Sequence, residues 1–168
     1  FINTSGIGII QDDINVSPKR ASVGDNIIVS GQVAVHGIAI VSVREGLEFD
    51  TPIKSDTAPL NDLVRVMFAA SKNIHVLRDP TRGGVASALN EIAASSNVGI
   101  RIQEEKIPLS EEVRGACEIL GFDPLYVANE GKLLAFVSPG DAEAILGAMC
   151  NHPFGKDSVI IGEVVAEH

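Results

Sequence analysis

Apolar residues recur along much of the chain at the three-and-four spacing of a helix face. The clearest run is Gly83 to Ser95, where Val85, Ala88, Leu89, Ile92 and Ala93 fall on one side. Asp79-Pro80-Thr81 ahead of it offers capping oxygens and a proline suited to a first turn. A second helix is predicted over Ala58 to Lys72, with Leu60, Leu63, Val64, Met67 and Phe68 on its face. A third spans Glu111 to Leu120, capped by Ser110 and stopped by Gly121. A fourth spans Pro139 to Cys150, with Ser138 as N-cap, Pro139 at the first helical position and Pro153 beyond the end.

Short β-branched runs bounded by Gly, Pro or Asp predict strands at Ile2 to Ile10, Asn26 to Ser30, Ile74 to Leu77, Gly99 to Gln103, Lys132 to Ser138 and Ser158 to Val164. Several lack strict alternation, which implies burial on both faces. Gly37 to Arg44 reads either way: its Ile and Val favour a strand, its flanking glycines a helix. The pattern predicts an α/β (α+β) domain, a mixed sheet covered by helices.

Composition narrows this. The 168 residues suit a single domain, 1–168, and 45% of them are apolar. With no Trp, one Tyr and six Phe, aliphatic side chains must build the core. A net charge of −9 disfavours nucleic acid and anionic membranes. A nucleotide remains compatible, since a few local donors can hold phosphates. The uncharged stretch Ile27 to Val43 is interrupted by polar residues and falls short of the roughly 20 residues of a membrane span. Cys117 and Cys150 sit in helical patterns and read as reduced core thiols of a cytoplasmic protein. No metal is expected. The opening Phe1-Ile2-Asn3-Thr4 reads as a chain beginning mid-protein, and His168 as either native or a tag remnant.

Three clusters could carry chemistry. Arg78-Asp79-Pro80-Thr81-Arg82-Gly83-Gly84 lies between a strand and a helix N-terminus, where unpaired N–H groups favour an anion. Asp79, Thr81, Arg82, Gly83 and Gly84 are therefore candidate phosphate contacts; tight capping is the plainer alternative. No Walker pattern occurs. Asn129-Glu130-Gly131-Lys132 precedes a strand and reads as a glycine turn or as a carboxylate placed for proton transfer. His36, in Val35-His36-Gly37, is structural or a ligand contact at a helix start. His75 and His152 have no partner nearby in sequence and read as structural or exposed.

Together these strings resemble one family. Gly31 to Gly37 followed by Arg44-Glu45-Gly46-Leu47, then Arg78 to Gly84, Val113-Arg114-Gly115 with Cys117-Glu118, Ala128-Asn129-Glu130-Gly131-Lys132-Leu133, and His152-Pro153 with Gly155-Lys156-Asp157 occur in the order of the hydrogenase expression/formation protein HypE family, of the AIR synthase (PurM-like) superfamily. The resemblance favours a helix at Gly37 to Arg44 and spans essentially the whole chain.

The resemblance implies a function. Such proteins dehydrate a carbamoyl group on their own C-terminal cysteine with ATP and Mg²⁺, giving the thiocyanate that supplies cyanide to nickel–iron hydrogenase. It implies Glu130 and Asn129 as catalytic residues, with residues 79–84 and His36 lining the cleft. It further implies an absent ATP-binding N-terminal domain and cysteine tail, and no cofactor in this piece alone. The partners implied are a carbamoyltransferase and a scaffold complex, with a homodimer in the full-length parent. Val35 departs from the family's Asp-His-Gly, which weakens a polar role there. The alternatives are a non-catalytic docking module, or another superfamily enzyme: aminoimidazole ribonucleotide synthetase, selenophosphate synthetase or thiamine-monophosphate kinase.

Overall fold

The structure is a computed structural model that describes residues 5, 7–47 and 52–166. Its sheet has five strands: β1 (Asn26–Val29), β2 (Ile74–Arg78), β3 (Gly99–Ile102), β4 (Leu134–Val137) and β5 (Val159–Val165), in the order β2-β4-β1-β5-β3. The helices are α1 (Val35–Glu45), α2 (Asn61–Ala70), α3 (Gly84–Ser96), α4 (Glu111–Leu120) and α5 (Ala142–Cys150).

Alternation along the strands sorts the core into two layers. Ile27 and Val29 of β1, with Leu134 and Phe136 of β4, face Val85, Ala88, Leu89 and Ile92 of α3. Ile28, Ala135 and Val137 point the other way, onto Leu63 and Met67 of α2 and Ile145 and Met149 of α5. Each fully buried Leu, Ile, Phe or Met stabilises the fold by about 1.5–3 kcal/mol. All four residues of β4 are buried, as its unbroken apolar run requires. Off the sheet, Ala34 just before α1 and Ile38 within it pack on Val113, Ala116 and Cys117 of α4.

The α+β layering expected from the sequence is present, with differences of detail. All four strand pairings are antiparallel, so the sheet is not mixed. Of the expected strand Ile2 to Ile10, residues 2–4 and 6 lie outside the described residues; Ile7, Ile9 and Ile10 are exposed and unpaired in the sheet. The segment Gly37 to Arg44 is helical, within α1.

Helix α5 starts at Ala142, because Pro139 and Gly140 close a turn in which Asp141 N–H donates to Ser138 C=O at 3.0 Å. Ser138 therefore caps nothing; its hydroxyl lies 3.4 Å from His75 Nε2. The N-cap of α3 is Gly83, at φ 70°, rather than an oxygen from Asp79 or Thr81. Cys117 is buried, but Cys150, read as a core thiol, is exposed.

Two histidines find partners far away in sequence. His75 sits in a bulge of β2, and its Nδ1 meets the buried Asp25 carboxylate at 2.8 Å. His152 Nε2 lies 3.3 Å from Asp62 Oδ2. No described helix is long and apolar enough to cross a membrane.

Candidate functional site

The chain leaves β1 through Ser30-Gly31-Gln32-Val33 and enters α1 at Ala34, whose φ of 66° is unusual for a residue with a side chain. No side-chain cap closes this helix start. Instead Ala34 N–H donates to Asn129 Oδ1 at 2.8 Å, and Gly37 N–H donates to Ala128 C=O at 3.1 Å. Gly37 has to be glycine, since a Cβ there would sit 2.9 Å from the Ala128 carbonyl.

The loop from β2 to α3 reaches the same place. Pro80 is buried, and its carbonyl accepts both Asn129 N–H, at 3.2 Å, and Asn129 Nδ2, at 3.1 Å. Thr81 Oγ1 donates to Asp79 Oδ2 at 3.0 Å, so these two exposed-side candidates hold each other. Arg82 is exposed and has no ion-pair partner among the described residues. Gly84, at φ 65°, lies so close to the 125–127 backbone that a Cβ would be 2.7 Å from Val127 O. The 13-residue α3 carries no side-chain cap at its start, where Gly84 and Val85 are both buried.

Asn129 is thus the knot of the region. It is 2% exposed, and its amide is spent on Ala34 N–H, Pro80 O and Val127 O (Nδ2–O 2.9 Å). The three strings singled out in the sequence converge on it. Its neighbour Glu130 is half-buried and makes no side-chain hydrogen bond among the described residues. An unspent carboxyl beside a rigid turn is chemically free to take a proton or orient a polar group.

Two features were not legible in the sequence. The segment Ser55-Asp56-Thr57 carries no motif, yet Ser55 Oγ lies 2.8 Å and Thr57 Oγ1 3.3 Å from His36 Nδ1. Lys132, only 10% exposed, forms an ion pair with the Asp56 carboxylate. These residues border two hollows. One, of about 290 Å³, is lined by Ser30, Gly31, Asp56, Lys132, Lys156 and Asp157. The other, of about 570 Å³, runs between α1 and residues 121–128 and is walled by His36, Ile40, Arg44, Phe122 and Tyr126. Among the described residues no group of three or more His, Cys, Asp or Glu is placed to hold a metal.

Comparison with known proteins gives this geometry a setting. Residues 22–168 match the family model for AIR synthase related protein, C-terminal domain. The chain is 51% identical over 168 residues to carbamoyl dehydratase HypE of Bradyrhizobium diazoefficiens, covering 99% of this chain and 49% of that protein. The fold superposes on HypE in a HypE–HypF complex at a TM-score of 0.89 and 52% identity, over 91% of this chain and 50% of the other. It superposes on hydrogenase maturation protein HypE in complex with ATP at a TM-score of 0.85 and 44% identity, over 89% of this chain and 45% of that one. The chain spans about half the length of the curated relatives it matches.

Proposed function

From a chain that belongs to the AIR synthase related family, C-terminal domain, we propose a role as one half of an ATP-dependent carbamoyl dehydratase of the HypE type. The observation that carries the reading is the convergence of the 79–84 loop, the start of α1 and the Glu130 turn on buried Asn129. Relatives named carbamoyl dehydratase and a relative solved with ATP support it.

Phosphorylation by ATP turns an amide oxygen into a leaving group, and loss of phosphate with both N–H protons gives the nitrile. This chain's residues would serve that step in four ways. The uncapped first turn of α3, with Thr81, Arg82 and the Cβ-free Gly83, suits the phosphate side, and Asp79 fixes the Thr81 hydroxyl. Glu130 would take a proton from the amide nitrogen. Asn129, its amide committed to backbone, would hold the turn that aims Glu130. His36 would contact the substrate through Nε2, since Nδ1 is engaged by Ser55 and Thr57. Mg²⁺ and most ATP ligands would come from the companion half, as would a homodimer contact.

The test is ATP-dependent loss of one water from the carbamoylated terminal cysteine of the full-length protein, followed by mass. Glu130→Gln should abolish conversion while ATP binding and folding persist. Unchanged conversion would make the turn purely structural.

A docking role is the second reading, favoured by the apolar hollow beside α1 with Phe122 42% and Tyr126 60% exposed. A relative is solved with HypF, a maturation partner. Loss of partner capture with intact turnover in Tyr126→Ser would support this reading as an addition to the first.

A further inference from the structure

We infer that the Ser55–Ala58 segment is a positioning clasp, and that within it Asp56 keeps Lys132 away from Glu130 so that the Glu130 carboxylate stays free to act. The inference rests on the dehydratase reading above and adds to it a residue pair that sets the base.

Three contacts make the clasp. Ser55 Oγ and Thr57 Oγ1 lie 2.8 Å apart and both reach His36 Nδ1, so one end grips α1. At the other end the Asp56 carboxylate pairs with Lys132 Nζ. Between them the backbone of residues 56–58 presses on Gly131, which holds φ 73°; a Cβ at that position would sit 2.8 Å from Asp56 O. A side chain at residue 131 is thus excluded by conformation and by space.

The electrostatic consequence follows from where the cation lies. Lys132 is two residues from Glu130, and its Nζ bends back to within 3.2 Å of Gly131 O, over the turn itself. Along the chain Glu130 is the carboxylate nearest to Lys132. A salt-bridged carboxylate is a weaker base and an occupied acceptor. Asp56 takes the ammonium instead, in a site where the Lys132 side chain is nine-tenths buried. The other charged groups lining that hollow are Lys156 and Asp157. Glu130 is left without a side-chain partner among the described residues.

The test uses the full-length protein and the water-loss assay. Asp56→Asn frees Lys132 to pair with Glu130; kcat should fall by about tenfold or more with KM for ATP within about twofold, the pattern of a lesion in the chemical step. Replacing the lysine as well, in Asp56→Asn/Lys132→Met, should recover most of that loss, because the competing cation is gone. A merely structural pair gives the opposite result, a double variant no better than the single. Asp56→Glu, which keeps the charge, should retain turnover and guards against a variant that fails to fold, as does a thermal melt of each protein. Wild-type turnover with unchanged Asp56→Asn, or a double variant without recovery, overturns the inference and leaves the dehydratase reading standing. A wild-type protein without ATP-dependent water loss overturns the reading, and the inference falls with it.

Discussion

Asn129 and Pro80 are joined twice, the Asn129 backbone N–H and the side-chain Nδ2 both donating to the Pro80 carbonyl at 3.2 and 3.1 Å. One carbonyl with two lone pairs thereby locks a turn onto a loop 49 residues away in sequence. Asn129→Ala strands the buried Ala34 N–H and removes both Nδ2 bonds. An unfolding titration in urea should show a loss of about 2–4 kcal/mol. Asn129→Asp should be no better, since a carboxylate faces the Pro80 and Val127 carbonyls where the amide donated.

Glycines here divide by surroundings. Gly84→Ala places a methyl against the 125–127 backbone at φ 65°. The conformation alone costs about 1–2 kcal/mol and the clash adds to it. Gly115 lies inside α4 with nothing within 4 Å of an added Cβ. Gly115→Ala should therefore stabilise by about 0.5–1 kcal/mol, and the two variants should move the thermal midpoint in opposite directions.

The buried Asp25 carboxylate depends on His75, with Ser22 N–H at 2.9 Å as its second donor. His75→Ala leaves that carboxylate with one partner in a site 2% exposed. We expect a loss of about 3 kcal/mol in chemical denaturation. Asp25→Asn should cost less, because it removes the charge along with the pairing.

The two thiols should respond differently to an alkylating agent. Burial, with a smaller push from Asp123, raises the Cys117 thiol above its ordinary range. Cys150 is exposed. Iodoacetamide at mildly alkaline pH should label Cys150 in the native protein and Cys117 only on unfolding, as peptide mass mapping would show. The sign for stability follows: the fold favours the neutral thiol, so the unfolded chain ionises first as pH rises. The Cys117 contribution is complete below the free thiol's pKa of about 8.5 and is lost above it.

Much of the fold was legible because its signals are local. The α4 bounds read from the sequence coincide with those observed, since Ser110 Oγ accepts Val113 N–H and Gly121 adopts φ 67°, both chemistry within one turn. The α5 start is not legible, because Ser138-Pro139 has the composition of a cap but is used in a turn. Strand direction was not legible, for nothing in the period of β4 says that it pairs antiparallel with both β1 and β2.

The site followed the same rule. Residues 79–84, 129–130 and His36 stand out as local strings whose site roles the family resemblance implies, and the structure ties the 79–84 loop to Asn129 through Pro80. Ser55 and Asp56 carry no local signal, and Lys132 is legible only as part of the 129–132 turn, because their roles depend on pairings that span 19 to 76 residues of chain.

Strand β4 has a last consequence. It is buried along its whole length and hydrogen-bonded on both edges, and Leu133 N–H just before it donates to Ser30 Oγ at 3.0 Å. Its amides should exchange with deuterium only through global opening. Glu130 stands just ahead of this strand, so on the proposed reading its aim is set when the chain folds, before any ligand arrives.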